Sequence, residues 1–424
     1  MPGVKMARVL RRFNQQNNKK AASSIRQALL VSGIGLSVLA LANGDAAGAD
    51  VSSTAQCDAR YTPAYSGNDA DFDASSFQLP LDGERFEKLE KSHAKRFSCA
   101  TYKANSPIED RFDVQTTASG DVYAAVFDGH GGWQVSEYVS KTLIGNIQKE
   151  LSHAFKDPER ESEKPASSKK IASAIQRAFG RTDRELMVQV APAFKLGFGA
   201  VARCGSCALF TLIHADTLHV ANAGDIRAVL GKTDPANKSK LLAVPLSNDQ
   251  NAMVKVEQEK LKKEHPGEAN AFTCRHPESC YVKGALQPTR AFGDFSLKYP
   301  EFNGRPYVNG DRTAGRHFAE PYSPPYITAI PEIKSYKIDS NDRFVIIGSD
   351  GLWDFLSNEE AVEVVREQIA LGNYEHAGRA LVERTLQKAA KRYEISYADL
   401  LSLPPGSHRR RRHDDTTVVV LFFD

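Results

Sequence analysis

Cysteine is scarce in this chain, six residues in 424, and Cys57, Cys99, Cys274 and Cys280 show no framework spacing. Cys204 and Cys207 have the C-x-x-C interval, but they precede a strand-like segment in which residues three apart face opposite sides, so neither zinc nor a redox couple is expected there. His276 lies between Cys274 and Cys280 in a loop-like stretch, and no metal is read there either. Long apolar runs are missing too. The run Ala28–Ala42 has fifteen residues, short of the roughly 20 that a spanning helix needs. A dominant charge is also absent. The net charge is +3, yet Lys5, Arg8, Arg11, Arg12, Lys19, Lys20 and Arg26 all precede the first acidic residue, Asp45. Setting those seven cations aside leaves the remainder with a net charge of −4, which speaks against a nucleic-acid binder. With 41% hydrophobic and 25% charged residues, the composition is that of a globular protein with one large domain or two small ones.

The basic start and the apolar run together read as a targeting segment rather than as part of a fold. Its acid-free, basic character points to a mitochondrial presequence, with the matrix or the inner membrane and intermembrane space as destinations. The apolar run followed by A-N-G-D-A-A-G-A points instead to secretory cleavage, and a retained leader would allow membrane association through residues 28–42. Residues 43–80 are polar and rich in Gly, Ala, Asp and Ser, as a linker is. The expected organisation is a leader over 1–50, a linker and N-terminal extension over 51–97, and a folded domain over 98–424.

What the chain does have is V-F-D-G-H-G-G at Val126–Gly132. The apolar run Tyr123–Phe127 reads as a buried strand that stops at Asp128, followed by Gly129, His130 and two further glycines. Glycine lets the backbone bring a carbonyl oxygen up to a ligand beside the carboxylate, and His130 is placed to give a proton to a leaving oxygen. Alone, an Asp-Gly pair is more often a turn. The pattern recurs, however. Phe344–Gly348 stops at Ser349, Asp350 and Gly351, with Asp354 four residues after Asp350, and His413, Asp414 and Asp415 precede the β-prone Thr416–Phe423. Glu109 and Asp110 stand just upstream of the first of these strands. Gathered together, these ends make an oxygen-only cluster suited to Mg²⁺ or Mn²⁺ rather than Zn²⁺.

Elsewhere, Val135, Val139, Leu143 and Ile147 mark one core-facing helix, and Ile171, Ile175, Phe179 and Leu186 a second. The charged stretch Lys156–Lys170 between them reads as a surface insertion. Ala208–Ile213 and Leu218–Ala221 read as strands joined by an H-A-D turn. Asn248 and Asp249 are placed to cap a helix running through Val256 and Leu261 to about Glu264. Residues 295–331 have no period and are too long for a mere connection. Two helices follow, over Glu359–Ala370 and Glu375–Arg392, and then the run Arg409–Arg412, which is either a solvated loop or an attractor of phosphorylated groups.

The motifs E-D-R (109–111), V-F-D-G-H-G-G (126–132), G-S-C-A (205–208), V-A-N-A-G-D-I-R (220–227), R-A-F-G-D (290–294), S-D-G-L-W-D (349–354) and H-D-D-T-T-V-V-V (413–420) stand in the order found in the metal-dependent protein phosphatase 2C family, which the chain resembles over about 98–424. A-N-S-P-I-E-D-R, L-S-N-D-Q-N-A with its following E-H-P, and P-Y-I-T-A-I-P-E look most like the pyruvate dehydrogenase phosphatase branch. L-K-Y-P-E-F and R-R-H-D-D-T-T-V-V-V are similar to the related plant branch.

The resemblance implies an α+β fold: a β-sandwich of two antiparallel sheets flanked by helices on both outer faces, with the metal site at one end between the sheets. It implies a serine/threonine protein phosphatase using two Mn²⁺ or Mg²⁺ ions, with a third as an option, acting on phosphorylated protein and on the pyruvate dehydrogenase complex as a candidate. In its terms Asp128 bridges the ions, Gly129 offers its carbonyl, Asp350 and Asp414 hold one ion, Asp110 and Glu109 act through water, and Asp225 and Asp354 serve a third. His130 is the general acid, and the region of 295–331 is a variable flap that selects substrate. Family members with an arginine four residues before the E-D pair use it to grip phosphate; here Asn105 occupies that place, and Arg111 is the nearby candidate.

Three alternatives are testable against the same residues. A catalytically weak or inactive phosphatase-like binding protein would have lost a core aspartate. A two-metal nuclease would carry a basic groove. An aspartyl-phosphate enzyme would show D-x-D at the first strand end, where this chain has Asp128-Gly129-His130.

Overall fold

The computed structural model describes residues 79–155, 168–276, 279–304 and 318–424. The leader, the linker up to residue 78 and most of the insertion at 156–170 lie outside the described residues. The chain first lays down β1 (Gly83–Lys88), β2 (Arg96–Tyr102), β3 (Arg111–Thr116) and β4 (Val122–His130), then the helices α1 (Gln134–Phe155) and α2 (Ser168–Lys195). A second run of strands follows: β5 (Gly205–His214), β6 (Thr217–Ala223), β7 (Arg227–Thr233) and β8 (Leu241–Pro245). Helix α3 (Lys255–Glu264), the hairpin β9 (Phe272–His276) and β10 (Ser279–Val282), and the short β11 (Phe292–Gly293) come next. The last part holds β12 (Glu332–Lys337), β13 (Asp342–Gly348), α4 (Asp350–Trp353), α5 (Asn358–Ala370), α6 (Ala377–Arg392), α7 (Tyr397–Ser402), α8 (Ser407–Arg410) and β14 (Thr416–Phe422).

Two antiparallel sheets result. The first has the order β1-β2-β14-β13-β7-β8, and the second β12-β6-β5-β4-β3 with β11 added beside β5. Side chains alternate between two cores, as a strand's period of two requires. Val126, Leu209, Val345, Ile347, Val419 and Leu421 meet between the sheets. Their neighbours Phe127 and Phe210 face outward under α1 and α2, against Val139, Leu143, Ile175 and Phe179. On the opposite outer face, Ile346, Val420 and Phe422 pack under α5 and α6 against Val365, Leu381 and Leu386. A central strand buried on both faces has no polar side, which is why Thr416–Phe423 reads as an unbroken β-prone run.

Several details differ from the sequence-based expectation. The folded body starts before residue 98: Leu79 is buried, β1 pairs with β2, and β2 itself begins at Arg96. Strand β1, G-E-R-F-E-K, is a half-exposed sheet edge, and such a strand carries little apolar signal. Asn248 and Asp249 do not cap α3, which follows extended Val254. Their side chains are spent on distant partners, Asn248 Nδ2 donating to Glu332 at 2.8 Å and Asp249 accepting from Arg227 at 2.6 Å. Cys274 and Cys280 form a disulfide across the β9–β10 hairpin, a pairing set by strand register rather than by sequence spacing. Cys204 and Cys207 belong to different cores, as strand geometry requires. The hairpin, α3 and the described parts of 295–331 share a separate small core that includes Leu261, Val282, Leu297, Phe318 and Tyr326.

Candidate active site

Both sheets deliver carboxylates to one end of the sandwich. From the second sheet, β4 brings Asp128, Gly129 and His130 opposite Cys207, Ser206 and Gly205 of β5. From the first, β13 runs into Asp350, the first residue of α4, and Asp414 and Asp415 lead into β14. Gly129 approaches its neighbours so closely that a Cβ there would lie 2.5 Å from the carbonyl oxygen of Glu109 and 2.8 Å from Ser136 Oγ. Ser136 in turn donates to that Glu109 carbonyl at 2.5 Å, so the E-D pair is fastened to the start of α1.

Asp110 and Asp225 are buried, and Asp128 and Asp350 are half-buried. Loss of hydration, followed by repulsion from Asp350, Asp110, Asp225 and Asp414, holds Asp128 well above the ordinary carboxylate range. Asp350 is raised for the same reason, with Asp225 and Asp414 as its main neighbours. Burial and then Asp415 raise Asp110, against hydrogen bonds from Ser349 and Thr417. Asp354 is pushed up to about 6 by burial, Asp225 and Asp414. Burial also raises Glu109, opposed by Arg410. Asp225 is partly satisfied, accepting from Asn251 at 2.7 Å and from the Cys207 thiol at 3.1 Å.

Such a group of buried like charges calls for cations. Two of its oxygens, Glu109 Oε2 and Asp110 Oδ2, are buried without a hydrogen-bond partner. Among the described residues, no three acidic, imidazole or thiol groups are arranged as a ready-made metal shell. The side chains gathered here are carboxylates, and an oxygen donor set fits Mg²⁺ or Mn²⁺, ions that keep waters and take few direct carboxylates. Asp110, Asp128, Asp225, Asp350, Asp354 and Asp414 come together at this end, with Glu109 at their edge and the Gly129 carbonyl beside Asp128.

Sequence reasoning missed two residues. Asp415 is the first: its carboxylate accepts from the backbone N–H groups of Ala104 (2.6 Å), Asn105 (2.8 Å) and Glu109 (2.7 Å), tying the loop that carries Glu109 and Asp110 to β14. Its only sequence signal was adjacency to Asp414. The second is Asp294, last residue of R-A-F-G-D. His130 Nε2 donates to Asp294 Oδ2 at 2.6 Å. Burial works hardest against a charged His130, yet Asp294, joined by Asp225 and Glu109, outweighs it and the imidazole is raised above its ordinary value. A Cβ at Gly205 would collide with both the Asp294 carboxylate and the His130 ring, so only glycine opposite His130 leaves room for the pair. A cavity of about 180 Å³ opens beside it, lined by Arg203, Leu286, Leu297 and Phe318.

Arg111 does not face the site as a phosphate ligand. Its Nε donates to Glu137 at 2.6 Å and its Nη1 to the carbonyls of Asp110 (2.6 Å) and Ile108 (3.0 Å), because the α1 carboxylate draws the guanidinium aside. Asn105 Nδ2 is occupied by Asp414 and Asp415, 3.1 Å from each. The run 409–412 is not a uniform solvated loop. Arg409 is buried and donates to the carbonyls of Leu403 and Lys103, Arg410 faces Asp414, and Arg412 covers the ring of Tyr393.

The family model described as Protein phosphatase 2C matches residues 85–393, a span that stops short of Asp414 and the central strand β14. The chain is similar to Probable protein phosphatase 2C 48 of Arabidopsis thaliana, 34% identical over 338 residues, covering 78% of this chain and 81% of that protein. It is similar also to Probable protein phosphatase 2C 28 of Oryza sativa subsp. japonica, 32% identical over 322 residues, with 74% of each covered. Among solved structures, the serine-threonine phosphatase 2C from Toxoplasma gondii shares the fold, with a TM-score of 0.57 at 19% identity, covering 82% of this chain and 100% of that one.

Proposed function

This chain belongs to the protein phosphatase 2C family and is a serine/threonine protein phosphatase, and on that premise we propose that it hydrolyses phosphoserine and phosphothreonine in proteins with two Mn²⁺ or Mg²⁺ ions. The observation that carries the reading is the meeting of Asp110, Asp128, Asp225 and Asp350 at one end of both sheets, with His130 beside them. When bound, the ions would lower the pKa of a coordinated water and neutralise the ester oxygens. Asp128, Asp350 and Asp414, with the Gly129 carbonyl, are the residues that would hold two ions; Glu109 and Asp110 would accept from waters, and Asp225 and Asp354 would serve a third ion. His130, held by Asp294, gives a proton to the departing serine or threonine oxygen. The purified protein should dephosphorylate a phosphothreonine peptide in Mn²⁺ or Mg²⁺ and stop when EDTA is added. Full activity in EDTA overturns the proposal.

The cellular target we propose is mitochondrial, with the pyruvate dehydrogenase complex first among candidates, on the strength of the motifs around Asn105, Asn248 and Pro325 and the basic leader. The leader, residues 1–50, should carry a fluorescent protein to mitochondria, and replacing Arg8, Arg11 and Arg12 with Glu should abolish that. Against the matrix, and so against that complex, stands the Cys274–Cys280 disulfide, a bond that persists in oxidising compartments such as the intermembrane space or the secretory pathway. Thiol labelling of the protein taken from cells separates these. Free Cys274 and Cys280 go with the matrix and its enzyme complexes, and an oxidised pair with the other two. Glycan attached to the exposed Asn237 of N-K-S would assign the secretory route.

A further inference from the structure

We propose that Arg410 grips the phosphoryl oxygens of the substrate, a role that deepens the phosphatase reading and rests on it. A phosphate dianion entering a cleft walled by carboxylates needs a cation fixed at the mouth, and the arginines around the cluster are mostly committed elsewhere. Arg111 is spent on Glu137 and two carbonyls. Arg227 is spent on Asp249 and Asn358, and Arg392 lies over the ring of Phe355. Asn105, beside Asp414, has already given its amide N–H groups to Asp414 and Asp415.

Arg410 differs. Its Nε stands 3.5 Å from Asp414 Oδ2, a long ion pair, and its side chain is 48% exposed. Asp414 is the carboxylate that its guanidinium meets among the described residues. Glu109, Asp414 and Asp415 are the acidic groups whose field it feels, which places the guanidinium at the edge of the metal-binding carboxylates. The backbone beneath it is held firmly. Gly406 N–H donates to the Ala104 carbonyl at 2.6 Å, and the buried Arg409 donates to the carbonyls of Lys103 (3.1 Å) and Leu403 (2.8 Å). Helix α8 is thereby clamped to the same loop whose other end presents Glu109 and Asp110. The arrangement is a fixed base with a guanidinium fork held by one loose carboxylate contact, and that fork matches two phosphate oxygens at once, which a lysine ammonium cannot do.

The test uses the full chain with Arg410→Gln and Arg410→Lys, and Arg412→Gln as a control. Two quantities are read: calorimetric binding of inorganic phosphate to the Mn²⁺-loaded protein, and KM and kcat for a phosphothreonine peptide. Arg410→Gln should weaken phosphate binding and raise KM by roughly ten- to a hundredfold, the factor for losing hydrogen bonds between charged groups. Arg410→Lys should recover part of the loss, and Arg412→Gln should change neither quantity. Mn²⁺ affinity and thermal midpoint should stay those of the parent. Unchanged phosphate affinity in Arg410→Gln overturns the proposal, as does a loss that merely follows a fall in Mn²⁺ affinity, since Arg410 would then serve only to neutralise Asp414. Either result leaves the phosphatase reading standing if the parent is active. A parent without metal-dependent activity sinks that reading and this one with it.

Discussion

His130 owes its setting to a residue far away in the sequence. Asp294 is buried and adopts a left-handed backbone conformation with φ of 48°, and its N–H is bonded to the Cys204 carbonyl at 2.9 Å, so the backbone that brings its carboxylate to the ring is fixed. Asp294→Asn keeps the shape and removes the charge that favours the imidazolium. It should lower the rate on phosphothreonine by about tenfold, and His130→Ala by about a hundredfold, as general acids typically contribute. Both should hurt an aryl phosphate less, because its leaving group needs no proton. Steady-state rates on the two substrates check this, and equal losses on both would mean that His130 does not act as an acid.

Elements also reach across the fold to support the site. Helix α2 contributes Asp183, whose carboxylate accepts from the Gly293 N–H at 2.9 Å and from Lys298 Nζ at 2.7 Å. This is a buried ion pair fixing the turn that ends in Asp294. Asp183→Ala would leave the Lys298 charge buried with the Ala291 carbonyl but no counter-ion, a change that costs about 3–5 kcal/mol. Denaturant unfolding should show that loss, together with a fall in rate. A different clasp joins the start of β4 to the end of β5, where His214 Nδ1 lies 2.8 Å from Asp121 Oδ1. The hydrogen bond to Asp121 raises His214 above its ordinary 6.5, and that to His214 lowers Asp121 below 3.8. A raised histidine stabilises fully below its unfolded pKa and stops doing so as pH rises through its folded value; a lowered aspartate does so above its unfolded pKa and stops as pH falls through its folded value. The clasp is therefore strongest between about pH 4 and 6.5. Asp121→Asn should destabilise by about 1 kcal/mol there, and the gap in thermal midpoint from the parent should close on moving to alkaline pH.

For the whole molecule, the consequence of drawing ligands from both sheets is that ion binding and folding are coupled. Like charges held together at the sandwich end oppose closure of the two sheets, and a cation that binds only the folded state stabilises it by mass action. Mn²⁺ at a hundred times its dissociation constant should add about 2.7 kcal/mol, seen as a higher thermal midpoint that EDTA reverses. Asp350→Asn should remove most of that rise and cost at least about a hundredfold in rate. An unchanged response to Mn²⁺ would show that Asp350 is not a ligand.

Local patterns were legible before any coordinates. The apolar runs ending at Asp128 and Gly348, and the one following Asp415, are strands β4, β13 and β14, because a strand buried on both faces must be apolar throughout and must end where polar residues begin. The acidic residues at those ends follow from the same local fact. What only the tertiary structure decided concerns partners remote in the chain. Asp294 finds His130 across 164 positions, Asp415 gathers the loop of Glu109 from 306 positions away, and Arg111 goes to Glu137 while Arg409 turns inward from α8 to the Lys103 and Leu403 carbonyls. Polar and charged side chains carry no periodicity that names their partner. Whether an arginine is spent on a carbonyl, locked to a carboxylate or left facing the cleft depends on the path of the backbone around it, and a half-exposed edge such as β1 has no apolar alternation to announce itself. The chemistry at this end of the sandwich was written in strand ends, and the assignment of each charge to its partner was made by the packing of two sheets.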